Sequence, residues 1–303
     1  MLFNKNHLVF HIIIIILLLI IFYLIFMREE FKNDIHTEGF IDTEIISTDQ
    51  IYDNFYSNIY DKLFYTSYKT EFEIGDLIEN FLSKMDKKQI SILDIGCGTG
   101  KHIKLLNERD YPVIGLDNSN EMLKLAKQEN PEVRFILGNA MDKSVFSNTK
   151  FDIITCYYFT IYYMKHQEEF LNNVYNWLKP NGVFVVHIVN KDKFDPILEP
   201  ASPFPAFSLQ KYSKKRIMSS SVTFNNFDYN AEFKLMNNNK AHFNEQFVFK
   251  KKKKIRKQTH VLYMFNIKDF ILTMKNKHFK LIGKTDLVSC SYEYQYLFYF
   301  RKI

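Results

Sequence analysis

The sequence predicts an α/β fold in which helices cover both faces of a mostly parallel sheet. Between about residues 90 and 189, strand-like apolar stretches alternate with helix-like stretches. This alternation is typical of βαβ units, because parallel neighbours need a crossover and helices then cover the sheet. After the fifth strand, successive strand-like segments with alternating aromatic residues predict an antiparallel excursion of three or four strands.

An apolar segment near the N-terminus precedes this fold. Residues 8–27, LVFHIIIIILLLIIFYLIFM, are apolar except for His11 and the Tyr23 hydroxyl. As a helix rising about 1.5 Å per residue they would extend roughly 30 Å, the thickness of the hydrocarbon core of a bilayer. A cleaved signal peptide would have a shorter apolar core and a small-residue cleavage site. We therefore expect a tail over 1–7 and one transmembrane helix over 8–27, which gives a single-pass membrane localisation.

The orientation in that membrane is expected to place the remaining chain in the cytoplasm. Positive charges flank the apolar segment on both sides, so they do not decide the orientation. The three cysteines, at positions 97, 156 and 290, lie in a tight motif or in strand-like stretches and are predicted to be free, as is typical of a reducing compartment.

The composition predicts a packed fold, since 47% of the residues are hydrophobic and 17% are aromatic. Much of the net charge of +6 comes from one basic run over 250–257. The run lies between two strand-like segments, where a solvated hairpin end explains it most simply. Contact with anionic lipid or with RNA phosphates are the alternatives.

The predicted organisation is a linker over 28–47 followed by one domain over 48–303, with a lid or substrate insertion over 190–265. Ser47 and Gln50 have the spacing of a helix-capping box, and apolar residues, many of them aromatic, recur at helical intervals from there to residue 64. The elements predicted after this aromatic helix are strands at 90–95, 112–117, 133–139, 151–158 and 182–189, helices from about 101, from about 120 and over 167–178, strands between about 219 and 264, a helix over 267–276 and strands at 278–286 and 292–300.

A glycine cluster marks the predicted binding edge. Three of the nine glycines lie in ILDIGCGTG (92–100), between a strand and a helix. A turn that lets a ligand lie against bare backbone needs residues without a Cβ, and the following helix offers free N–H groups. Asp117 ends the second strand, 21 residues after Gly96, where a carboxylate can bind the hydroxyls of a ribose. These features predict a Rossmann-like, doubly wound sheet that binds a nucleoside.

The LDIGCGTG motif resembles the first motif of the class I S-adenosylmethionine-dependent methyltransferases, over about residues 50–303. The resemblance implies S-adenosylmethionine as cosubstrate. The family often has an acid after the third strand, where this chain has Asn139. Either the Asn139 amide oxygen accepts from the adenine amino group or Asp142 has taken the role. The implied positions are Asp94, Gly96, Gly98 and Gly100 beside the amino-acid part of the cosubstrate, Asp117 at the ribose, and Asn118, Met122, Asn139, Ala140 and Met141 near the adenine.

A second resemblance, to small-molecule N-methyltransferases acting on aminosugars or glycine, rests on IYDKLFYTSYKTEFE (59–73), the TGKH after the glycines and the late excursion. It implies that a tyrosine-bearing helix covers the cosubstrate, with Tyr60 and Lys69 as the matching positions. Aromatic rings after the fourth strand, Tyr157 among them, would suit the cationic methyl donor. No spacing of cysteines and histidines suggests a metal site.

Methyl transfer from a sulfonium requires alignment and the exclusion of water, not a covalent catalyst. An ammonium or hydroxyl acceptor must lose a proton, and His187, on the predicted fifth strand, is a candidate general base. Tyr60 is the second candidate catalytic residue. We therefore expect methyl transfer to N or O of a small molecule or lipid headgroup. The alternatives are an RNA or protein methyltransferase that docks through 250–257, and a non-catalytic module that only binds the cosubstrate; a nucleic-acid partner is disfavoured without being excluded.

Overall fold

The computed structural model describes residues 14–21, 42–197, 199–201, 210 and 215–303. The chain divides into two compact units, Met1–Asp42 and Thr43–Ile303. In the first unit a helix covers residues 14–21. The second unit contains the sheets and helices described below.

The predicted transmembrane helix is not found. No helix in the described part of the chain is long and apolar enough to cross a membrane. Of the segment 8–27 the structure describes 14–21, which are helical. The other residues of that segment lie outside the described part. The predictions of a transmembrane helix, of a membrane partner and of single-pass localisation are therefore wrong.

The strands, in chain order, are β1 (Asp42–Ile46), β2 (Ile92–Ile95), β3 (Val113–Asp117), β4 (Arg134–Leu137), β5 (Phe151–Cys156), β6 (Leu178–Val189), β7 (Ser219–Thr223), β8 (Phe227–Met236), β9 (Lys240–Phe249), β10 (Lys254–Tyr263), β11 (Phe279–Asp286) and β12 (Gln295–Lys302). The α-helices after residue 42 are α1 (Asn54–Phe64), α2 (Ser67–Asn80), α3 (Lys101–Asn107), α4 (Asn120–Glu129), α5 (Gln167–Trp177) and α6 (Ile267–Asn276).

A seven-stranded sheet with the order β11-β12-β6-β5-β2-β3-β4 forms the centre of the larger unit. Strands β2 to β6 are parallel, whereas β12 runs antiparallel to β6 and β11 antiparallel to β12. The chain winds outward from β2 in both directions, so the switch point lies between β2 and β5. In sheets of this kind ligands bind at the carboxyl ends of the strands beside that point.

Apolar side chains cover both faces of this sheet. Along β5 the buried Ile153 and Ile154 belong to different clusters, because successive side chains of a strand point to opposite faces. The cluster that includes Ile154 also contains Phe233 and Leu262 from a second sheet. The second sheet is therefore packed over one side of the first.

The second sheet has five strands in the order β1-β10-β9-β8-β7, and its strands β7 to β10 pair antiparallel. Helix α1 packs on it through a third cluster that includes Tyr56, Leu63 and Phe247. We call these five strands the antiparallel sheet. It lies in the part of the sequence where an excursion of three or four strands is predicted, with β1 added from the stretch predicted to be a linker.

Two local expectations differ from the structure. The first long helix begins at Asn54, because the Asp53 carboxylate accepts a hydrogen bond from the Tyr56 N–H at 2.9 Å and caps it there. Ser47 precedes only a short 3₁₀ turn, in which its carbonyl accepts from the Gln50 N–H. Helix α2 is absent from the sequence prediction.

Candidate active site

The glycine turn after β2 has a left-handed backbone at three positions. Gly96, Gly98 and Gly100 have φ angles of +68°, +53° and +80°, a region that residues with a Cβ rarely adopt. A Cβ on Gly96 would lie 2.3 Å from Cγ2 of Thr160, whereas one on Gly98 would meet nothing within 4 Å. The backbone at Gly98 therefore faces open space, as a cradle for a ligand requires.

Asp117 meets this turn, as its position at the end of β3 predicts. Its Oδ2 accepts a hydrogen bond from the Gly98 N–H at 2.9 Å, and its Oδ1 accepts one from the Ser119 N–H at 2.9 Å. Desolvation raises the pKa of Asp117 above its usual value, although these backbone hydrogen bonds oppose the shift. Ser119 in turn donates to the Tyr52 carbonyl at 2.8 Å, which ties the segment before α1 to the end of β3.

A cavity of about 830 Å³ opens at this edge of the parallel sheet. Its wall combines the glycine turn and the ends of β3 and β4 with helix α1, the turn after β5 and the inner face of the antiparallel sheet. The sequence-predicted residues that line it are Tyr60, Gly96, Gly98, Asp117, Asn118, Met122, Asn139, Ala140 and Met141. The residues predicted to bind the ribose and those predicted to lie near the adenine therefore line the same cavity.

Asn139 stands where the family often has an acid. Its Oδ1 accepts from the Met141 N–H at 2.9 Å, so the amide shapes the loop after β4. An amide oxygen has two lone pairs, and the second remains suited to an exocyclic amino group. The adenine-binding roles of Asn139, Ala140 and Met141 stay predictions.

A smaller cavity of about 80 Å³ lies on the other side of the glycine turn. Lys69, Asp94 and Tyr157 line it, and so do Gly96 and Gly98. Lys69 is buried and its ammonium group lies 5.3 Å from the ring centre of Tyr158. The structure therefore brings Lys69 to the turn that the resemblance assigns to the amino-acid part of the cosubstrate.

The charge of Lys69 is balanced by a buried carboxylate. Glu73 accepts from the Lys69 ammonium at 2.5 Å and contacts Nε2 of His102 at 2.8 Å. Burial acts to raise the pKa of Glu73, but the Lys69 charge and the His102 hydrogen bond outweigh it and lower the pKa to about 2. The carboxylate is therefore ionised at neutral pH and holds the ammonium group in place.

Asp94, Gly100 and Tyr157 were predicted to lie beside the cosubstrate, but each also has a role in the fold. Burial raises the pKa of Asp94 to about 6, and its Oδ1 accepts from the Thr155 hydroxyl at 2.7 Å. Gly100 lines neither cavity and precedes α3 as its N-cap. The Tyr157 ring stacks on His102 with 4.2 Å between centres.

His187 does not line the main cavity. Its Nδ1 lies 2.6 Å from the Tyr158 carbonyl and its Nε2 lies 3.0 Å from the side-chain amide of Gln295. Burial, with the Lys69 charge as a second cause, lowers the pKa of His187 to about 4. The neutral ring has one N–H to donate, and of the two oxygens that face it the Tyr158 carbonyl is nearer than Oε1 of Gln295. Tyr158 has a left-handed φ of +51°, so this bond supports a strained backbone beside the cavity.

Tyr60 lies on α1 and borders both cavities. Its ring packs against Phe64 with 4.9 Å between centres, and Tyr52 and Tyr56 lie within 6.2 Å of it. Burial raises the pKa of Tyr60 well above its usual value, so the phenol stays protonated. A catalytic role for Tyr60 remains a prediction.

The antiparallel sheet adds a polar network that the sequence did not reveal. Glu245 on β9 and His260 on β10 are 2% and 1% exposed, and Oε2 of Glu245 lies 2.6 Å from Nε2 of His260. On the other side of the ring, Nδ1 lies 2.7 Å from the Tyr163 hydroxyl. Tyr163 accepts from the Tyr52 hydroxyl at 3.0 Å. Tyr52, Tyr163 and His260 all line the main cavity.

Burial along β10 follows a period of two. Arg256, Gln258 and His260 are buried, whereas Lys257 between the first two is exposed. Gln258 lies opposite Glu245 in the register and donates to it at 2.7 Å. Polar residues thus occupy the inner face of this strand, the reverse of the usual pattern for a half-buried sheet.

Comparison with known proteins identifies the family. A family model described as a methyltransferase domain matches residues 86–269. The chain is 32% identical over 117 residues to a dTDP-4-amino-2,3,4,6-tetradeoxy-D-glucose N,N-dimethyltransferase of Saccharopolyspora spinosa, which covers 38% of this chain and 46% of that protein. It is 33% identical over 102 residues to a dTDP-3-amino-3,6-dideoxy-alpha-D-glucopyranose N,N-dimethyltransferase of Streptomyces fradiae, covering 33% and 39%. The matches therefore span less than half the length of these relatives.

The fold is also that of solved methyltransferases. A crystal structure of an S-adenosylmethionine-dependent methyltransferase from Clostridium acetobutylicum superposes with a TM-score of 0.61 and 20% identity, over 82% of this chain and 98% of the other. Binding of the cosubstrate at Gly98 and Asp117 stays a prediction. The chain belongs to the family of class I S-adenosylmethionine-dependent methyltransferases, whose domain model matches more than half of its length.

Proposed function

We propose that this methyltransferase transfers the methyl group to an amino nitrogen of a small molecule, of the aminosugar kind named for the two relatives. The main cavity carries the proposal, because one space joins the glycine turn and Asp117 to the wall of the antiparallel sheet. Ligand pockets usually measure about 300–1,000 Å³. A volume near the upper end of that range suits a nucleoside cosubstrate together with a small acceptor.

The charges around the cavity support an amine. Among the described lining residues there are five carboxylates and one lysine, Lys165. Asp53 is paired with Arg256 and Asp195 lies near Arg216, whereas Asp49, Asp117 and Glu169 add to a negative field that favours an ammonium-bearing acceptor. The acidic lining residues are Asp49, Asp53, Asp117, Glu169 and Asp195.

Different residues of the two cavities would bind different parts of the cosubstrate. The cosubstrate supplies an electrophilic methyl group on a sulfonium. Asp117 would bind the ribose of its nucleoside. The glycine turn would lie beside its amino-acid part, whose carboxylate the buried Lys69 ammonium would attract at the smaller cavity. The rings of Tyr60 and Tyr158, both of which line the main cavity, would exclude water and favour the cationic donor.

A labelled methyl donor tests the proposal directly. The purified chain is incubated with a panel of free and nucleotide-linked aminosugars, each paired with the analogue that carries a hydroxyl in place of the amine. We expect label in at least one amine and none in its hydroxyl partner, with N-methylation established by mass spectrometry. Cosubstrate binding without transfer to any amine, or transfer to hydroxyl analogues, RNA or protein instead, would contradict the proposal.

A further inference from the structure

The strongest unassigned feature is the buried carboxylate and imidazole at the cavity wall. Glu245 accepts hydrogen bonds at Oε1 from the hydroxyls of Tyr56, at 3.0 Å, and Tyr229, at 2.6 Å, and at Oε2 from Gln258. Burial acts to raise the pKa of Glu245, but His260 and these hydrogen bonds outweigh it and lower the pKa below its usual value. Glu245 is therefore ionised and can only accept.

The hydrogen bonds fix the tautomer of His260. Because the Glu245 carboxylate only accepts, the proton of the neutral ring must lie on Nε2. The lone pair on Nδ1 then accepts from the Tyr163 hydroxyl, whose oxygen accepts from Tyr52. Every bond in this chain thus runs in one direction, from the hydroxyls at the cavity toward the buried carboxylate.

We propose that Tyr163, His260 and Glu245, which we call the relay, remove the proton of the acceptor ammonium. This rests on the proposed function. The ammonium passes a proton to the Tyr163 oxygen as the Tyr163 hydroxyl proton moves to Nδ1 of His260. The freed nitrogen lone pair then forms the new C–N bond while the C–S bond breaks and its electron pair stays on sulfur. The imidazolium, held beside Glu245, releases its proton to solvent before the next turnover.

The surroundings of the relay suit this task. A histidine that accepts from a hydroxyl at one nitrogen and is oriented by a carboxylate at the other recurs in enzymes that move protons. The groups facing His260 come from three elements: Glu245 on β9, Tyr52 and Tyr56 at the start of α1, and Tyr163 in the turn after β5. Arg256 on the same strand is neutralised by Asp53, so Glu245 supplies the dominant charge at the ring.

The roles within the relay differ. Tyr163 is the catalytic residue because it would touch the acceptor, whereas Glu245 is a positioning residue that acts through His260. His187 is less suited to this task, because it does not line the main cavity and its ring nitrogens contact a backbone carbonyl and a side-chain amide, neither of which is a hydroxyl that could pass on a proton.

The pH profile of kcat/KM tests the relay in three variants. The wild type should lose activity as the pH falls, because the base becomes protonated. Tyr163→Phe should lower kcat by about 100-fold or more, the usual contribution of a general base, with cosubstrate affinity unchanged. Glu245→Gln should move the acidic limb to lower pH by about 1 unit, because removing a neighbouring negative charge disfavours the imidazolium. A structural defect alone would not move that limb.

Tyr229→Phe is the matched control, since it removes a hydrogen bond to the same carboxylate and keeps its charge. Its acidic limb should stay in place. If Glu245→Gln and Tyr229→Phe shift the limb equally, or if Tyr163→Phe keeps full kcat, the relay is wrong.

A readout without catalysis separates this inference from the proposed function. In ¹⁵N-labelled protein, at a pH above the acidic limb of the activity profile, the His260 ring, assigned with His260→Gln, should show a protonated Nε2 and a bare Nδ1. The opposite tautomer would overturn the relay even if amines are methylated. The expected tautomer with no methylated amine would instead count against the proposed function alone.

Discussion

A single glycine offers the sharpest test at the scale of residues. Gly98 and Gly100 both have a left-handed backbone, but Gly98 borders both cavities and Gly100 borders neither. We expect Gly98→Ala to weaken S-adenosylmethionine binding at least about tenfold, or about 1.4 kcal/mol, because its methyl group would occupy the cradle. Both substitutions should cost about 1–2 kcal/mol of stability through backbone strain.

Calorimetric titration with the cosubstrate and urea unfolding measure the two effects separately. Gly100→Ala serves as the control, since its Cβ would lie 3.1 Å from the Cβ of Ala126 and away from either cavity. It should bind the cosubstrate within about threefold of the wild type, less than 0.7 kcal/mol. Equal losses of affinity in both variants would show that strain, and not contact with the ligand, explains the effect.

Residues at the ends of parallel strands were predictable, whereas those on the antiparallel sheet were not. The contact between Asp117 and Gly98 follows from topology, because the carboxyl ends of adjacent parallel strands meet at one edge. Glu245 and His260 belong to strands with polar residues on both faces. A period of two then gives two equivalent choices of buried face, and the sequence offers no local reason to prefer the correct one.

Among the elements, strand β10 is joined to helix α1 by one buried side chain. Arg256 is 3% exposed and donates to Asp53 at 2.6 Å, to Gln258 at 2.8 Å and to the Ile51 carbonyl at 3.1 Å. We expect Arg256→Lys to lower the free energy of unfolding by about 1–3 kcal/mol, since an ammonium cannot reproduce this planar set of bonds. Asp53 is partly exposed, which limits the loss.

Urea unfolding measures this loss, and Lys257→Arg is the control because Lys257 is exposed on the opposite face of the same strand. The control should change the free energy of unfolding by less than about 0.5 kcal/mol. An Arg256→Lys variant as stable as the wild type would mean that the connection between β10 and α1 does not depend on the guanidinium.

Helix α2 shows why some elements escape a pattern-based prediction. Its buried face includes Lys69, Thr70 and Glu73 beside Ile74 and Leu77. Periodic apolar residues are the main sequence signal for a helix, and here polar residues that serve the smaller cavity interrupt them. The same residues that give the helix its proposed role therefore weaken the signal for its existence.

At the scale of the whole molecule, contacts between residues far apart in the chain could not be predicted from the sequence. The cavity closes because residues far apart in the chain meet, as Asp53 and Arg256 do across 203 positions. Local spacing identified the sheet edge and its glycine turn, because those residues are near one another in a βαβ unit. Apolar composition alone predicted a transmembrane helix, and this prediction is wrong for the described part of the chain.

The distribution of charge over the whole molecule leads to a last prediction, on salt. Within the basic run, Lys250 pairs with Asp228, Lys254 with Glu44 and Arg256 with Asp53. The remaining lysines of the run are exposed: Lys251, Lys252, Lys253 and Lys257. For a small amine acceptor we expect kcat/KM to change less than about threefold between 50 and 500 mM salt. By contrast, a protein that neutralises six or more phosphates of a nucleic acid loses about 1,000-fold in affinity for it between 50 and 200 mM salt. Replacing Lys251, Lys252 and Lys253 by alanine should likewise leave kcat/KM unchanged. A steep decline with salt, or a large loss in the triple variant, would point to a polyanionic acceptor, because screening acts on many exposed ion pairs at once and hardly on one ammonium held inside a cavity.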